Sequence, residues 1–504
     1  MVLFRLGQDT LTTEKLVELA SLPDPKIEIT QGVWDQLNKF RQLLDESIKK
    51  DSLMYGVNTG FGYLSDVRIP DKDLDQLQKN LIRSHACGVG EPLSPIYVRG
   101  ILISRCHSFL LGYSGVSQDC VALMVRFLKE DILPVVPSKG SVGASGDLAP
   151  LAHVAMGLLG EGLCYYKGSL NPEPISPILK QLGIKPLIPK PKEGLSLING
   201  TQVMTVLCAF AVERGKNLCY NGIYIAALSL DAVRGTKKAF DPRIHKLRPH
   251  PGQVEVAQIL ESIFQSQDDI MESHKDCGKV QDPYSFRCIP QVHGASLEAI
   301  KYAKAVLDRE LGSVTDNPLI FEDGELVSGG NFHGQPVALA ADFLTIALAE
   351  LGSISERRIE KMTNPGLSGL PAFVIQGSGL NSGFMIPQVV AAALVSENKV
   401  LSHPASVDSI PTSADKEDHV SMGTIAARKA LNVCENLSYI LAIEALCATQ
   451  GVELLGKGRP ALQLEGLFQK IRKLSPFLSE DRSLHEDIRT VAQMLSLENL
   501  NADG

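Results

Sequence analysis

The chain has 504 residues, 44% of them hydrophobic, enough for one large core with a smaller appended domain. A formal net charge of -8 with no basic run excludes nucleic acid or an anionic membrane surface as the main partner. Ten cysteines are scattered without a CxxC pair, mostly in apolar contexts, so reduced, buried thiols in a cytoplasmic protein are expected.

Residues 1–15 carry polar and acidic side chains through any apolar run, so no secretory signal is expected there. Residues 27–30 read as a short strand ending at an N-cap. Val33, Leu37, Phe40 and Leu44 then line one face of a helix. Residues 55–62 form a loop with glycines at 56, 60 and 62. A helical pattern runs over 73–88 and stops at Glu91-Pro92, and another runs over 96–127.

Residues 163–168 and 319–327 read as small hairpins, the second around Asp323-Gly324, and the proline-dense 172–191 as a long connection. Long helices are expected over about 295–312, 340–362, 384–402 and 416–450. The last is free of proline and would extend about 50 Å at 1.5 Å per residue. Residues 337–351 are the most apolar of this half, but Asp342 and Glu350 interrupt them and they are too short to span a bilayer. The pattern predicts a mainly α fold: a long central helix bundle, a smaller mixed α/β N-terminal domain and a few hairpins.

One stretch stands apart. Residues 140–150 gather Gly140, Gly143 and Gly146 around Ala144 and Ser145. A helix follows, with Leu151, Val154, Ala155, Leu158 and Leu159 on one face and Asp147 as its expected N-cap. Such a turn at a helix start can be an anion nest. It can also do backbone chemistry. The Gly146 amide nitrogen can attack the Ala144 carbonyl carbon. Loss of two waters, one of them carrying the Ser145 hydroxyl, then leaves a five-membered imidazolinone with an exocyclic methylene. No GxxxxGK[ST] is present, so a P-loop is excluded.

Read whole, GSVGASGDLAPLAHVAMGLLGEG over 140–162 closely resembles the signature of the aromatic amino acid ammonia-lyases, in which Ala-Ser-Gly becomes the methylidene-imidazolone prosthetic group. The resemblance extends from about Tyr55 to about Met422 and is strongest to the members acting on histidine. It implies a boundary near residue 110, between a mixed domain (1–110) and a helical bundle (111–504) bearing the prosthetic group. It also implies a homotetramer with shared active sites and no external cofactor.

The same resemblance assigns roles. Ala144, Ser145 and Gly146 make the ring. Tyr55 lies on a lid loop and is the base for the β-proton; otherwise it is a loop tyrosine with a satisfied hydroxyl. Ser84-His85-Ala86 places His85 on the substrate imidazole, the alternative being a structural histidine. Asn199, in Asn-Gly-Thr-Gln, meets the ring or the substrate amine, or caps a helix. In Gln281-Asp-Pro-Tyr-Ser-Phe-Arg287, Arg287 holds the α-carboxylate in a bidentate pair, and Gln281 and Tyr284 orient substrate, Tyr284 as a catalytic side chain. Phe332 packs near the ring. Glu417 accepts an imidazole N–H, where phenylalanine-acting members typically carry an amide; alternatively it is a carboxylate favoured by a helix N-terminus.

Two departures stand out: Asp415-Lys416 where Asn-Gln is usual, and Gln335 where glutamate is frequent. Both are expected behind the groups that touch substrate. His85, His293, His333 and His419 lack metal-ligand spacing, so no metal is expected. The implied reaction is loss of ammonia from L-histidine to give trans-urocanate. Attack on the electrophile by the amine or by the imidazole ring is compatible with the sequence. So are a tyrosine ammonia-lyase or aminomutase on the same scaffold and a non-catalytic helical scaffold.

Overall fold

A computed structural model describes residues 3–49, 54–60, 67–265, 280–456, 459–498 and 500. Gly62, the last glycine of the loop that begins at Tyr55, lies outside the described residues. The chain divides into two compact units. The first comprises 1–210, 304–341 and 404–428, and the second 211–303, 342–403 and 429–504. A cut at residue 110 falls inside the first unit.

Long helices dominate: Gln202–Ala232, Ile289–Leu311, Gln335–Thr363, Met385–Leu401 and Gly423–Leu454. The first of these has no counterpart among the expected elements. Two are long and apolar enough to cross a membrane, Gln335–Thr363 and Gly423–Leu454. However, 67% and 78% of their most apolar stretches are buried within the protein, as in core helices.

In the first unit, Ile27–Glu28 pairs in parallel with Phe4–Arg5, in register Phe4↔Ile27. The helix Gln31–Ile48 follows and buries Leu37, Phe40 and Leu44 as expected, while Val33 in its first turn is only half-buried. The pattern over 96–127 resolves into two helices, Pro95–Phe109 and Gln118–Lys129. The break holds Gly112 and Gly115, both in the left-handed region (φ 95° and 64°), and a Cβ at Gly112 would sit 2.6 Å from Phe40 Cδ2.

Leu163–Tyr166 is not a self-contained hairpin but the middle of a three-stranded sheet between Ile132–Pro134 and Glu173–Pro174. The long connection contains a helix, Ile175–Gln181. Leu319–Ile320 and Leu326–Val327 form the expected hairpin, with Gly324 at φ 81° in its turn.

In the second unit the Arg358 guanidinium and the Glu444 carboxylate form a fully buried pair. The Ser229 and Ser355 hydroxyls donate to the same carboxylate, so its remaining lone pairs are used. Ile359, Ala391, Val395, Ile440 and Ile443 pack as an apolar cluster there. Every cysteine among the described residues is free, and most are buried.

Candidate active site

The glycine turn is held from two sides. Gly146 sits at φ +73°, and its neighbours clasp Gly200: the Asp147 amide donates to the Gly200 carbonyl at 2.7 Å, and the Gly200 amide to the Ser145 carbonyl at 3.3 Å. A Cβ on Gly146 would lie 2.1 Å from the Gly200 oxygen, so only glycine fits. A Cβ on Gly143 would lie 2.3 Å from Ser421 Oγ. Among the described residues no backbone hydrogen bond engages the Gly146 N–H or the Ala144 carbonyl. The two groups that must join are thus uncommitted, and the tripeptide fits the ring-forming chemistry.

Asp147 stands at the N-cap of its helix, Leu148–Leu158, as expected, but its side chain makes no capping hydrogen bond. Its buried carboxylate accepts instead from the Met204 amide at 2.9 Å, at the start of Gln202–Ala232, and from the Thr424 hydroxyl. Burial pushes this carboxyl up to about 6, against the pull of those donors.

The turn faces a pocket of about 860 Å³ in the first unit. Tyr55, His85, Ala144, Ser145, Asn199, Phe332 and Glu417 all line it. Tyr55 lies in a tight turn, with the Val57 and Asn58 amides both donating to the Met54 carbonyl at 3.1 and 3.2 Å. His85 ends the helix Leu74–His85, and its Nδ1 lies 2.9 Å from the Leu81 carbonyl. A carbonyl only accepts, so Nδ1 donates to it, and Nε2 is the ring nitrogen left for the pocket.

Asn199 ends the short helix Glu193–Ile198. Its amide nitrogen donates to Asp316 Oδ1 at 3.2 Å and to the Asn317 carbonyl at 3.1 Å, while its buried Oδ1 has no partner. Asp316 is in turn fixed by the buried Lys192 ammonium at 2.8 Å. The free Oδ1 is an acceptor suited to the ring or to an ammonium in the pocket. Neither Lys192 nor Asp316 lies in a motif that marks it in the sequence.

Glu417 does not begin the long helix, which starts at Gly423. The helix-terminus explanation of its charge therefore falls. Glu417 ends a tight loop whose backbone pairs with Thr412 in both directions, and the Thr412 hydroxyl donates to Oε2 at 2.7 Å. Ser413, Ala414 and Asp415 all lie in the left-handed region (φ 55°, 54° and 62°). That conformation costs about 1 kcal/mol at each such residue. Oε1 accepts from the Ser145 hydroxyl at 3.2 Å. The rings of His333 and His419 stack, with centroids 5.7 Å apart, and both line the pocket.

The two departures separate here: Lys416 lines the pocket itself, contrary to expectation, whereas Asp415 and Gln335 do not. Gln281, Tyr284 and Arg287 belong to the second unit. Tyr284 and Arg287 share the short helix Tyr284–Arg287, with the guanidinium carbon 4.6 Å from the tyrosine ring centroid. Tyr284 is 71% exposed, and Arg287 Nε is buried without a partner. None of the three lines the Ser145 pocket.

Residues 11–473 match the aromatic amino acid lyase family. The chain belongs to that family. It is 47% identical over 488 residues to the histidine ammonia-lyase of Myxococcus xanthus, covering 97% of this chain and 95% of that protein. It is 48% identical over 494 residues to that of Homo sapiens, covering 97% of this chain and 75% of that one. Among solved structures it resembles histidine ammonia-lyase from Trypanosoma cruzi, with a TM-score of 0.91 at 42% identity, covering 99% and 95% of the two chains. Tyrosine aminomutase from Streptomyces globisporus gives 0.93 at 36% identity, covering 99% and 98%. Overall shape therefore does not separate the lyases from the aminomutases of this family; the side chains of the pocket must.

Proposed function

We propose that this ammonia-lyase acts on L-histidine, eliminating ammonia without oxidation to give trans-urocanate. The observation that carries the reading is the Ser145 hydroxyl on Glu417 Oε1, in a pocket that also holds Tyr55 and His85. The elimination poses two problems, a poor leaving group and a weakly acidic β-proton. The ring derived from Ala144, Ser145 and Gly146 supplies an electrophile that turns the amine into a leaving group.

The remaining work falls to side chains. Tyr55 takes the β-proton. Glu417 accepts an imidazole N–H, and His85 hydrogen-bonds the same end of the substrate through Nε2. Loss of the Ser145 hydroxyl on cyclisation removes the donor that occupies Glu417 Oε1. That oxygen is then open to the substrate's N–H. Asn199 Oδ1 is an acceptor for the amine region, and Phe332, which lines the same pocket, packs near the ring.

Arg287, with Tyr284 and Gln281, grips the α-carboxylate from a neighbouring copy in a homotetramer with shared sites. The exposed Tyr284 and the unpartnered Arg287 Nε support this arrangement. The free, mostly buried thiols support work in the reducing cytoplasm.

The test is addition of L-histidine and, separately, L-tyrosine to the purified protein. Appearance of urocanate absorbance with histidine alone supports the reading. 4-Coumarate or β-tyrosine from tyrosine would transfer it to the tyrosine-acting members, and no product from either would leave a helical scaffold.

A further inference from the structure

We propose that Lys416 is a carboxylate handle at the outer end of the active-site pocket, which captures the amino-acid carboxylate on entry and holds the acrylate of the product before release. The inference rests on the histidine reading above. Among the described residues that line the pocket, Lys416 is the one lysine or arginine. Glu417 and Asp418 beside it are acidic. Without Lys416 that wall would present two carboxylates to a substrate and a product that each carry one, which is repulsive.

Lys416 is exposed and lines the pocket, whereas Ala144 in the turn is buried, which is why the handle is assigned to the outer end. Its backbone is also set by geometry that an ordinary loop would avoid. Three consecutive left-handed residues, Ser413 to Asp415, turn the chain, and the Lys416 amide closes the turn on the Ser413 carbonyl at 3.3 Å. The Thr412–Glu417 pairing then fixes Lys416 beside the residue that touches Ser145. Strain of this kind persists where the surroundings over-determine it, and here it presents a charged pair of opposite sign to one pocket.

The role differs from that of Arg287. Lys416 offers a single ammonium on a flexible four-carbon stem, suited to capture and release. A guanidinium is suited to a fixed bidentate seat.

The experiment uses the intact enzyme with Lys416→Gln and Lys416→Arg. It reads KM and kcat for L-histidine, and calorimetric affinities for urocanate, which has a carboxylate, and for L-histidinol, which does not. Lys416→Gln is expected to raise KM and weaken urocanate about three- to fivefold at low ionic strength, as for an exposed charge pair. The loss should appear in KM rather than kcat, fade near ~0.5 M salt, and be rescued by Lys416→Arg. Histidinol affinity should not fall.

Unchanged urocanate affinity in Lys416→Gln overturns the proposal, as does an equal loss for histidinol. If the wild type releases no urocanate from L-histidine, the reaction reading falls instead. The calorimetric comparison still decides on Lys416.

Discussion

Ser145 Oγ and Glu417 Oε1 are 3.2 Å apart, although 272 residues separate them in the chain. On the proposed reading, the residue that loses its hydroxyl thus touches the residue that selects histidine over phenylalanine. Glu417→Gln keeps the shape and removes the charge. A hydrogen bond to a charged acceptor is worth about 1.5–3 kcal/mol, so kcat/KM for L-histidine should fall about ten- to a hundredfold. Steady-state kinetics check this, and the ratio of histidine to tyrosine turnover should narrow.

Gly146→Ala tests the clasp around the turn. The added Cβ meets the Gly200 oxygen at 2.1 Å, and φ +73° is unfavourable for any side chain. The turn should open and cyclisation should fail, with activity down about a thousandfold or more. Peptide mass and urocanate release are read on the same preparation.

Tyr55→Phe removes the proposed base but leaves the ring in the pocket. A positioned base contributes roughly 10²- to 10⁴-fold, so kcat should fall within that range. The Ser145 peptide should still lack its two waters, which separates loss of the base from loss of the electrophile.

Asp147 predicts a pH dependence of stability. Its carboxyl is raised from 3.8 to about 6 by burial, so the folded protein keeps a proton that the unfolded chain loses first. Its stabilising contribution is complete below the unfolded value and is lost as pH rises through about 6. The total is about 3 kcal/mol, because each tenfold gain in proton affinity on folding is worth about 1.4 kcal/mol. Asp147→Asn has no such proton. Urea unfolding at pH 4 and pH 7 should show the variant gaining on wild type between them, with no further change above pH 7.

The chemistry is more legible in the sequence than the architecture. The Ala144-Ser145-Gly146 turn can be read because its function needs near-absence of side chains, which is a compositional signal. The helix Gln202–Ala232 escapes the periodicity because nearly every residue over 201–210 is buried, so no polar face gives it a period. Gly112 and Gly115 do carry a break signal, but the surrounding apolar repeat masks it. The sequence places Glu417 at a helix start because three left-handed non-glycine residues before it leave no trace in composition. Lys416 looks peripheral for the same reason. Its place on the pocket wall depends on that turn and not on its neighbours in sequence.

The central claim is that this chain makes its own electrophile at Ser145. Mass spectrometry of the proteolytic peptide spanning 140–150, taken from a preparation that converts L-histidine to urocanate, tests it directly. The account predicts a peptide lighter than its sequence by two water molecules; an unmodified mass in that active preparation would contradict it.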